Sequence, residues 1–194
     1  MSISSLLIVL LIVLDQLTKL IVRNYYGVRI PIIRNMVYFM PTLNKNYSWI
    51  NSLFQLGLGR MFHVVSVVVI LIFVYTALKY LENKVGNYSW VKTMKISFMS
   101  GGLCSLIDKV FWDGSLDYIL LRGFFVFDLK DCYINIFTII AITIMFKYRK
   151  VINNLKTREV LKDLAEFIKN YSRYLWKLFM KRGEVWWKRI KKEG

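Results

Sequence analysis

The sequence predicts an all-α membrane protein with four transmembrane helices, a small extracytoplasmic β-rich loop and a C-terminal basic amphipathic helix. Hydrophobic residues make up 56% of the 194-residue chain, which exceeds the roughly 45–50% of an average soluble protein. Four stretches approach the length of about 20 apolar residues that a helix needs to cross the hydrocarbon core of a bilayer. The end of the chain differs, because from Lys147 onward it carries 15 basic and 5 acidic residues. A membrane domain followed by a basic appendage accounts for all three observations.

The membrane domain is expected to cover residues 1–150, with helices at about 3–22, 61–80, 95–111 and 131–148. The first apolar run is interpreted as a transmembrane helix rather than a signal peptide, because no basic residue precedes it and no small-x-small cleavage site follows it. The third run is the weakest candidate, since serine, glycine and charged residues interrupt it.

The connection between the first two helices, residues 24–60, is long for a membrane loop. It contains two short runs rich in β-forming residues, bounded by Pro31, Asn35 and Pro41. We therefore expect two or three strands on the outer face of the membrane, followed by a short helix or loop through residues 50–59.

Charge asymmetry predicts the orientation of the chain. With four crossings, the loops on one side, 23–60 and 109–130, carry eight basic residues, and the other side, including the tail, carries nineteen. Because the cytoplasmic side of a membrane protein is enriched in Lys and Arg, both termini are expected in the cytoplasm.

The tail, residues 151–194, is expected to be an amphipathic helix that contacts anionic lipid. Its apolar residues recur at intervals of three and four, which places them on one helix face, and such a basic helix can lie in the headgroup region. The alternative is a solvated helix that packs on its own domain. Charge alone is compatible with nucleic acid, but no recognition motif accompanies it, so no nucleic-acid partner is expected. The apolar face comprises Leu161, Leu164, Ile168, Tyr171, Leu175 and Leu178.

The composition disfavours several kinds of functional centre. The chain has two cysteines, 28 positions apart, and one histidine. This excludes a disulfide scaffold and a zinc cluster, and it disfavours a histidine-based metal centre or a Ser-His triad. Any catalysis is expected to rely on carboxylates, with no metal and no cofactor.

Acidic residues are concentrated where the third helix ends and the fourth begins. A charge inside the bilayer costs about 2.5–3.5 kcal/mol even on lenient insertion scales, so it normally has a partner or a function. In the first helix, Asp15 and Lys19 are four residues apart, so they share a helix face and must pair with each other or with a neighbouring helix. Five of the twelve acidic residues lie within 24 positions of one another: Asp108, Asp113, Asp117, Asp128 and Asp131.

Asp117 and Asp131 are the pair that could carry chemistry. If the two helix ends are adjacent, their carboxyl groups can face each other across one water molecule. Two close carboxylates share a proton, because both cannot ionise cheaply. The ionised group can then take a proton from the attacking water, and the neutral group can donate to the scissile carbonyl. The alternative is that both are interfacial residues paired with Arg122 and Lys130.

Four motifs resemble, in order and spacing, those of the lipoprotein signal peptidases (signal peptidase II), four-helix aspartyl proteases of the bacterial inner membrane. Asn44 is also similar to the Asn of the family's NxGxx[FW] motif, and the resemblance covers about residues 5–150. The four motifs are DQLTK at 15–19, similar to DQxTK; GGLCSLIDK at 101–109, similar to the last nine positions of GGxxGNxxDR; GSLDY at 114–118, similar to the last five positions of GxVxDF; and VFDLKD at 126–131, similar to the last six positions of PxFNxAD.

The resemblance implies a function and a set of site residues. Asp117 and Asp131 fall on the catalytic dyad of a protease that removes signal peptides before a diacylglyceryl-modified cysteine. The implied partners are lipid-modified lipoprotein precursors and membrane lipids, and the protein is expected to be a monomer in the bacterial inner membrane. Supporting or substrate-binding positions are Asp15, Lys19, Asn44, Gly101, Ser105, Asp108, Lys109 and Asp128.

The chain also departs from the family motifs. Ser105 stands where the family has Asn, and Lys109 where it has Arg. Asp128 replaces an Asn beside the second catalytic position, and Lys130 replaces an Ala. A third carboxylate would raise the pKa values of the pair unless a nearby cation offsets it.

Three functions therefore remain open on the sequence. The first is an intramembrane aspartyl endopeptidase acting on lipid-modified precursors. The second is a catalytically altered paralogue that binds lipoproteins or regulates without cleavage, which the substituted motif positions favour. The third is a small transporter or channel component, for which the second and fourth helices offer few polar residues.

Overall fold

The computed structural model describes residues 3–85 and 88–147, together with 162, 165–170, 172–173 and 180. The chain forms two compact units, Met1–Phe146 and Lys147–Gly194. In the second unit the described residues are helical, and Ile168 is exposed. The other residues of the predicted apolar tail face, and the three tail tryptophans Trp176, Trp186 and Trp187, lie outside the described residues.

The first unit consists of helices joined by a small sheet. A 3-10 turn, Arg23–Tyr25, follows the first helix, and a π-helical turn, Asp108–Trp112, follows the fourth. The helices are α1 (Ile3–Val22), α2 (Trp49–Leu53), α3 (Arg60–Val85), α4 (Ser89–Ile107) and α5 (Leu129–Lys147).

The distribution of polar and apolar side chains on α1 is the reverse of that on a helix in a water-soluble protein. Its buried residues are Asp15, Lys19 and Val22, whereas large apolar side chains such as Leu10 and Leu17 point outward. In lipid the apolar face needs no cover, while charged groups must find partners inside the protein. The distribution of side chains therefore fits a helix surrounded by hydrocarbon.

Within the described residues, three helical segments are long and apolar enough to cross a membrane: Ile3–Tyr25, Arg60–Asn83 and Leu129–Lys147. They correspond to the first, second and fourth predicted spans. The third predicted span, 95–111, is the helix α4, which begins earlier and ends at Ile107. It includes Lys92 and Lys95 and is not one of the three segments, so a count of four crossings stays a prediction.

A four-stranded antiparallel sheet joins the two connections between helices. The strands are β1 (Ile30–Ile33), β2 (Val37–Asn44), β3 (Ser115–Leu121) and β4 (Val126–Phe127), in the order β1-β2-β3-β4. The first two come from the predicted β-rich loop, and the last two come from the segment between α4 and α5. Because β2 pairs with β3, both connections emerge at the same end of the unit.

The all-α prediction is therefore incomplete. Residues 115–127 were expected to be a loop between two helices, but they form half of the sheet. The partner of β3 is β2, which lies more than 70 positions earlier in the chain, and no local periodicity reports such a distant contact. The two-residue strand β4 pairs with β3. Residues 50–59 agree with the prediction of a short helix or loop, since α2 begins at Trp49 after the N-cap Ser48, whose hydroxyl accepts a hydrogen bond from the Asn51 N–H.

Small residues allow α4 to pack closely against its neighbours. A Cβ atom at Gly101 would lie 2.7 Å from Ile134 Cδ1 and 2.9 Å from the Lys130 carbonyl oxygen. A Cβ atom at Gly102 would lie 2.5 Å from Leu71 Cδ2. The two glycines therefore bring α4 close to α5 on one face and to α3 on the other.

Replacing Gly101 by Ala is expected to lower the stability of the folded protein by about 1–3 kcal/mol, because the added methyl group overpacks the contact with α5. Thermal unfolding in detergent micelles measures the change. Gly59→Ala is the matched control, since a Cβ atom there meets nothing within 4 Å. Equal melting temperatures for the two variants would contradict the close packing of α4 on α5.

Candidate active site

A buried lysine on α1 organises the polar interior. The Lys19 ammonium lies 2.7 Å from Asp15, 2.7 Å from Asp108 and 2.8 Å from Asp128. All four side chains are fully inaccessible to solvent. The predicted i, i+4 pair is therefore part of a larger network that also contacts the end of α4 and the residue before α5.

A second buried lysine extends this network toward the sheet. The Lys130 ammonium lies 2.6 Å from Asp128 and 3.0 Å from Asp117, and Asp108 is 3.4 Å away. Asp128 therefore forms ion pairs with two lysines, Lys19 and Lys130. Burial alone would raise the pKa of Asp128, but the ammonium groups of Lys130 and Lys19 hold it below its ordinary value.

Asp117 is positioned by the sheet. It lies on β3 opposite Thr42 of β2, and Ser115, two residues earlier on the same face, donates a hydrogen bond of 2.7 Å to its Oδ1. The same oxygen accepts a hydrogen bond from Lys130. Burial raises the pKa of Asp117 above its ordinary value, with Lys130 acting in the opposite direction.

Asp131 is positioned by the first turn of α5. The backbone N–H of Asp128 donates to Asp131 Oδ2 at 3.1 Å, and the backbone N–H of Asp131 donates to Asp128 Oδ1 at 3.3 Å. This is the reciprocal pattern of a capping box, with Asp in place of the usual Glu. The spacing D-x-x-D at 128–131 therefore both starts the helix and orients the Asp131 carboxylate.

The sheet and the cap bring three carboxylates together. One carboxylate oxygen from each of Asp117, Asp128 and Asp131 lies within 4.8 Å of the others. Asp117 and Asp128 are buried, and Asp131 is partly exposed. The Lys130 ammonium forms ion pairs with Asp117 and Asp128, so the cluster has a cationic partner within this chain.

Other predicted site residues lie farther from this cluster or contact other groups. Asn44 shares a face of the sheet with Ser115, but its side chain accepts a hydrogen bond from the Asn46 N–H. Lys109 donates a hydrogen bond of 2.8 Å to Ser105. The alternative interpretation of Asp117 and Asp131 pairs them with Arg122 and Lys130. Within the described residues Arg122 forms no ion pair with either acid, whereas Lys130 forms one with Asp117.

Two residues of this network were not singled out from the sequence. Ser115 bonds Asp117, and the two-residue spacing within a strand is a signal that could have identified it. Gln16 donates to Asp15 at 3.0 Å and to Asp108 at 3.3 Å, and it accepts a hydrogen bond of 3.0 Å from Trp112. Its place inside the DQLTK motif is the corresponding signal.

Helices long and apolar enough to cross a membrane, with clustered carboxylates at one end, indicate a membrane protein, and comparison with known proteins gives the family. The sequence model described as "Signal peptidase (SPase) II" matches residues 7–147. The chain therefore belongs to the signal peptidase II family, whose members are aspartic peptidases that process lipoproteins in the bacterial inner membrane. No curated protein matches the chain.

Solved structures share the fold. One, described as a bacterial membrane enzyme determined by the in meso method at 2.3 Å resolution, is 23% identical with a TM-score of 0.56; the match covers 79% of this chain and 92% of that one. A second, with the same description at 1.9 Å resolution, is 22% identical with a TM-score of 0.58, covering 74% and 92%.

Replacing Lys19 by Met is expected to lower the stability of the protein by about 3–5 kcal/mol, because three buried carboxylates lose their shared cation. Thermal unfolding in detergent micelles measures this change. The control is Lys92→Met on the exposed side of α4, which should change stability by less than about 0.5 kcal/mol. A loss at Lys19 no larger than that at Lys92 would refute the stabilising role of the buried network.

Proposed function

We propose that this protein is an intramembrane aspartic endopeptidase that removes signal peptides from lipid-modified lipoprotein precursors. Family membership supports the substrate class. The observation that carries the proposal is the approach of carboxylate oxygens of Asp117 and Asp131 to within 4.8 Å. A water molecule that hydrogen-bonds to both carboxyl groups fits this separation, since each O···O hydrogen bond spans about 2.5–3.0 Å.

The proposed chemistry uses the two carboxyl groups and water. One group is ionised and takes a proton from the water as its oxygen attacks the scissile carbonyl carbon, while the other is neutral and donates a proton to the carbonyl oxygen. Two carboxyl groups this close, one buried and one partly exposed, favour such unequal protonation, because full ionisation would place like charges together. Asp15, Lys19, Gly101, Asp108 and Asp128 are proposed to support this geometry, and Asn44 to flank it.

Four departures from the family motifs occur as two contacting pairs, which supports the proposal that the site is active. Ser105 and Lys109, which replace Asn and Arg, are hydrogen-bonded to each other. Asp128 and Lys130, which replace Asn and Ala, form an ion pair of 2.6 Å. Asp is as good an N-cap as Asn, so Asp128 keeps the cap of α5, and Lys130 offsets the added negative charge.

One observation favours the second candidate function, a paralogue that binds lipoproteins or regulates without cleavage. Lys130 donates a hydrogen bond of 3.0 Å to Asp117, and a neutral residue occupies this position in the family motif. If the ammonium displaces the attacking water, the same scaffold can bind an acylated peptide without turnover.

We further propose a multi-pass arrangement in the bacterial inner membrane with four crossings and both termini in the cytoplasm. The shared sheet supports it, because the two connections with few basic residues lie at one end of the unit. The basic tail would then face the cytoplasmic leaflet, where it can bind anionic lipid. The protein is proposed to act as a monomer without a cofactor.

Asp117→Asn and Asp131→Asn are each expected to lower the cleavage rate by at least about a thousandfold, since neither amide can replace a carboxyl group in proton transfer. The assay uses purified protein and a diacylated lipoprotein precursor separated by gel electrophoresis. Asp113→Asn is the control, because Asp113 is exposed and bonds Tyr47. Full activity in either of the first two variants would refute the dyad, and acylated-peptide binding without cleavage by the unmodified chain would favour the second candidate.

The cleavage rate is expected to fall as the pH is lowered through a midpoint above the ordinary aspartate pKa of about 3.9. Burial raises the pKa of Asp117, and below the midpoint both carboxyl groups are protonated, so neither can act as a base. The dependence of kcat on pH measures this midpoint. A rate that stays constant down to pH values of about 4 would contradict a base with this raised pKa.

A further inference from the structure

Lys130 is a buried cation next to the Asp117–Asp131 pair, and its ammonium contacts several carboxylates. Its ammonium has three N–H donors and three carboxylates within 4.0 Å, which belong to Asp128, Asp117 and Asp108. The side chain is 7% exposed. The following residue is Asp131, so Lys130 and one member of the carboxylate pair are consecutive residues in the first turn of α5.

The two carboxyl groups of the pair have different surroundings. Asp117 Oδ1 accepts hydrogen bonds from Lys130 and from Ser115. Asp131 accepts one from the Asp128 backbone N–H. The Lys130 ammonium also acts on Asp131 electrostatically, but among residues that the structure describes Asp131 forms no ion pair, whereas Asp117 is in direct contact with the ammonium. An adjacent ammonium favours the ionised form of a carboxyl group, so the contacts favour ionisation of Asp117 over ionisation of Asp131.

We propose that Lys130 is a positioning residue that keeps Asp117 ionised as the base and leaves the shared proton on Asp131. This inference rests on the proposed peptidase function and assigns the two roles that the dyad alone leaves open. The contact of Lys130 with Asp117 was the observation that favoured the second candidate function. In this assignment the same contact supports catalysis, because it keeps Asp117 ionised.

The assigned reaction balances. The water oxygen bonds to the carbonyl carbon, its proton moves to Asp117, and Asp131 gives its proton to the carbonyl oxygen, which yields a tetrahedral diol. The amide nitrogen then takes the proton from Asp117 as the C–N bond breaks, and one diol hydroxyl returns its proton to Asp131. Both acids regain their starting states.

Other charged groups also face Asp117 and must be held constant in a test. Thr42, opposite Asp117 on β2, is uncharged. The charged groups on the elements around Asp117 are Asp128, Lys130 and Asp131 before and within α5, Asp108 and Lys109 at the end of α4, and Asp15 and Lys19 on α1.

The test compares Asp128→Asn with the double variant Asp128→Asn/Lys130→Met in the full-length protein in detergent. Asn keeps the helix cap, so the two proteins differ in the ammonium alone. Infrared titration follows the Asp117 carboxyl band, assigned by its loss in Asp117→Asn. Removal of an adjacent cation is expected to move the midpoint upward by about one pH unit or more, and Lys130→Arg should keep the original midpoint.

A second variant covers a failure of the double variant to fold. Lys130→Gln keeps hydrogen-bond donors without the charge, so it should show the same upward shift. Lys95→Met on α4, whose partner is Glu82, is the matched control and should leave the midpoint and the cleavage rate unchanged. An Asp117 midpoint that does not move in either Lys130 variant overturns the inference.

The cleavage assay separates this inference from the proposed function. If the chain cleaves the precursor and loss of Lys130 moves the acid limb of kcat upward with the infrared midpoint, the assignment is supported. If it cleaves and the acid limb stays in place, the assignment is wrong and the peptidase function stands. If the infrared midpoint moves but the unmodified chain never cleaves, the peptidase function is wrong, and Lys130 retains only its effect on the charge of Asp117.

Discussion

The interaction on which the rest of the site depends is the contact of the Lys19 ammonium with three buried carboxylates. It joins α1, the π-helical turn after α4 and the residue that caps α5. In a soluble protein such contacts compete with water, but in lipid an unpaired charge has no alternative partner. The network therefore does more than link three segments, because it fixes their ends at one depth and so determines where the sheet and the first turn of α5 meet.

Local backbone structure positions the carboxyl groups of the two acids of the proposed dyad. Asp117 is presented by a strand whose register is set by β2, and Asp131 by a capping box that also begins α5. Neither arrangement requires a flexible loop, so both carboxyl groups stand on elements with defined backbone geometry. The π-helical turn contributes in the same way, since it carries Asp108 and Lys109, and such turns within α-helices occur frequently at functional sites.

Much of this architecture was accessible from the sequence, and the failures have physical causes. Apolar length located the helices, because hydrocarbon thickness imposes a minimum run that is visible residue by residue. The strand β3 was missed, since its partner β2 is distant in the chain, and β4 was missed because it has only two residues and pairs with β3. The sequence predicted that Asp117 and Asp131 act together, but it could not show that Lys130 stands between Asp117 and Asp128. That contact depends on the strand register as well as on the cap, and the spacing of the charged residues does not encode the register.

The charge balance of the interior gives a reason why two substitutions occur together at 128 and 130. The Lys19 and Lys130 ammonium groups contact four carboxylates, and Asp131 lies close to two of them. With all acids ionised, this interior would carry an excess of negative charge, which at short range in a low-dielectric environment favours retention of a proton. Adding Asp128 alone would increase the excess, and adding Lys130 alone would reduce it and so weaken the tendency to retain a proton. Adding both leaves the net charge unchanged, so the pair preserves the charge balance on which the retained proton of the proposed dyad depends, whereas either residue by itself would change it.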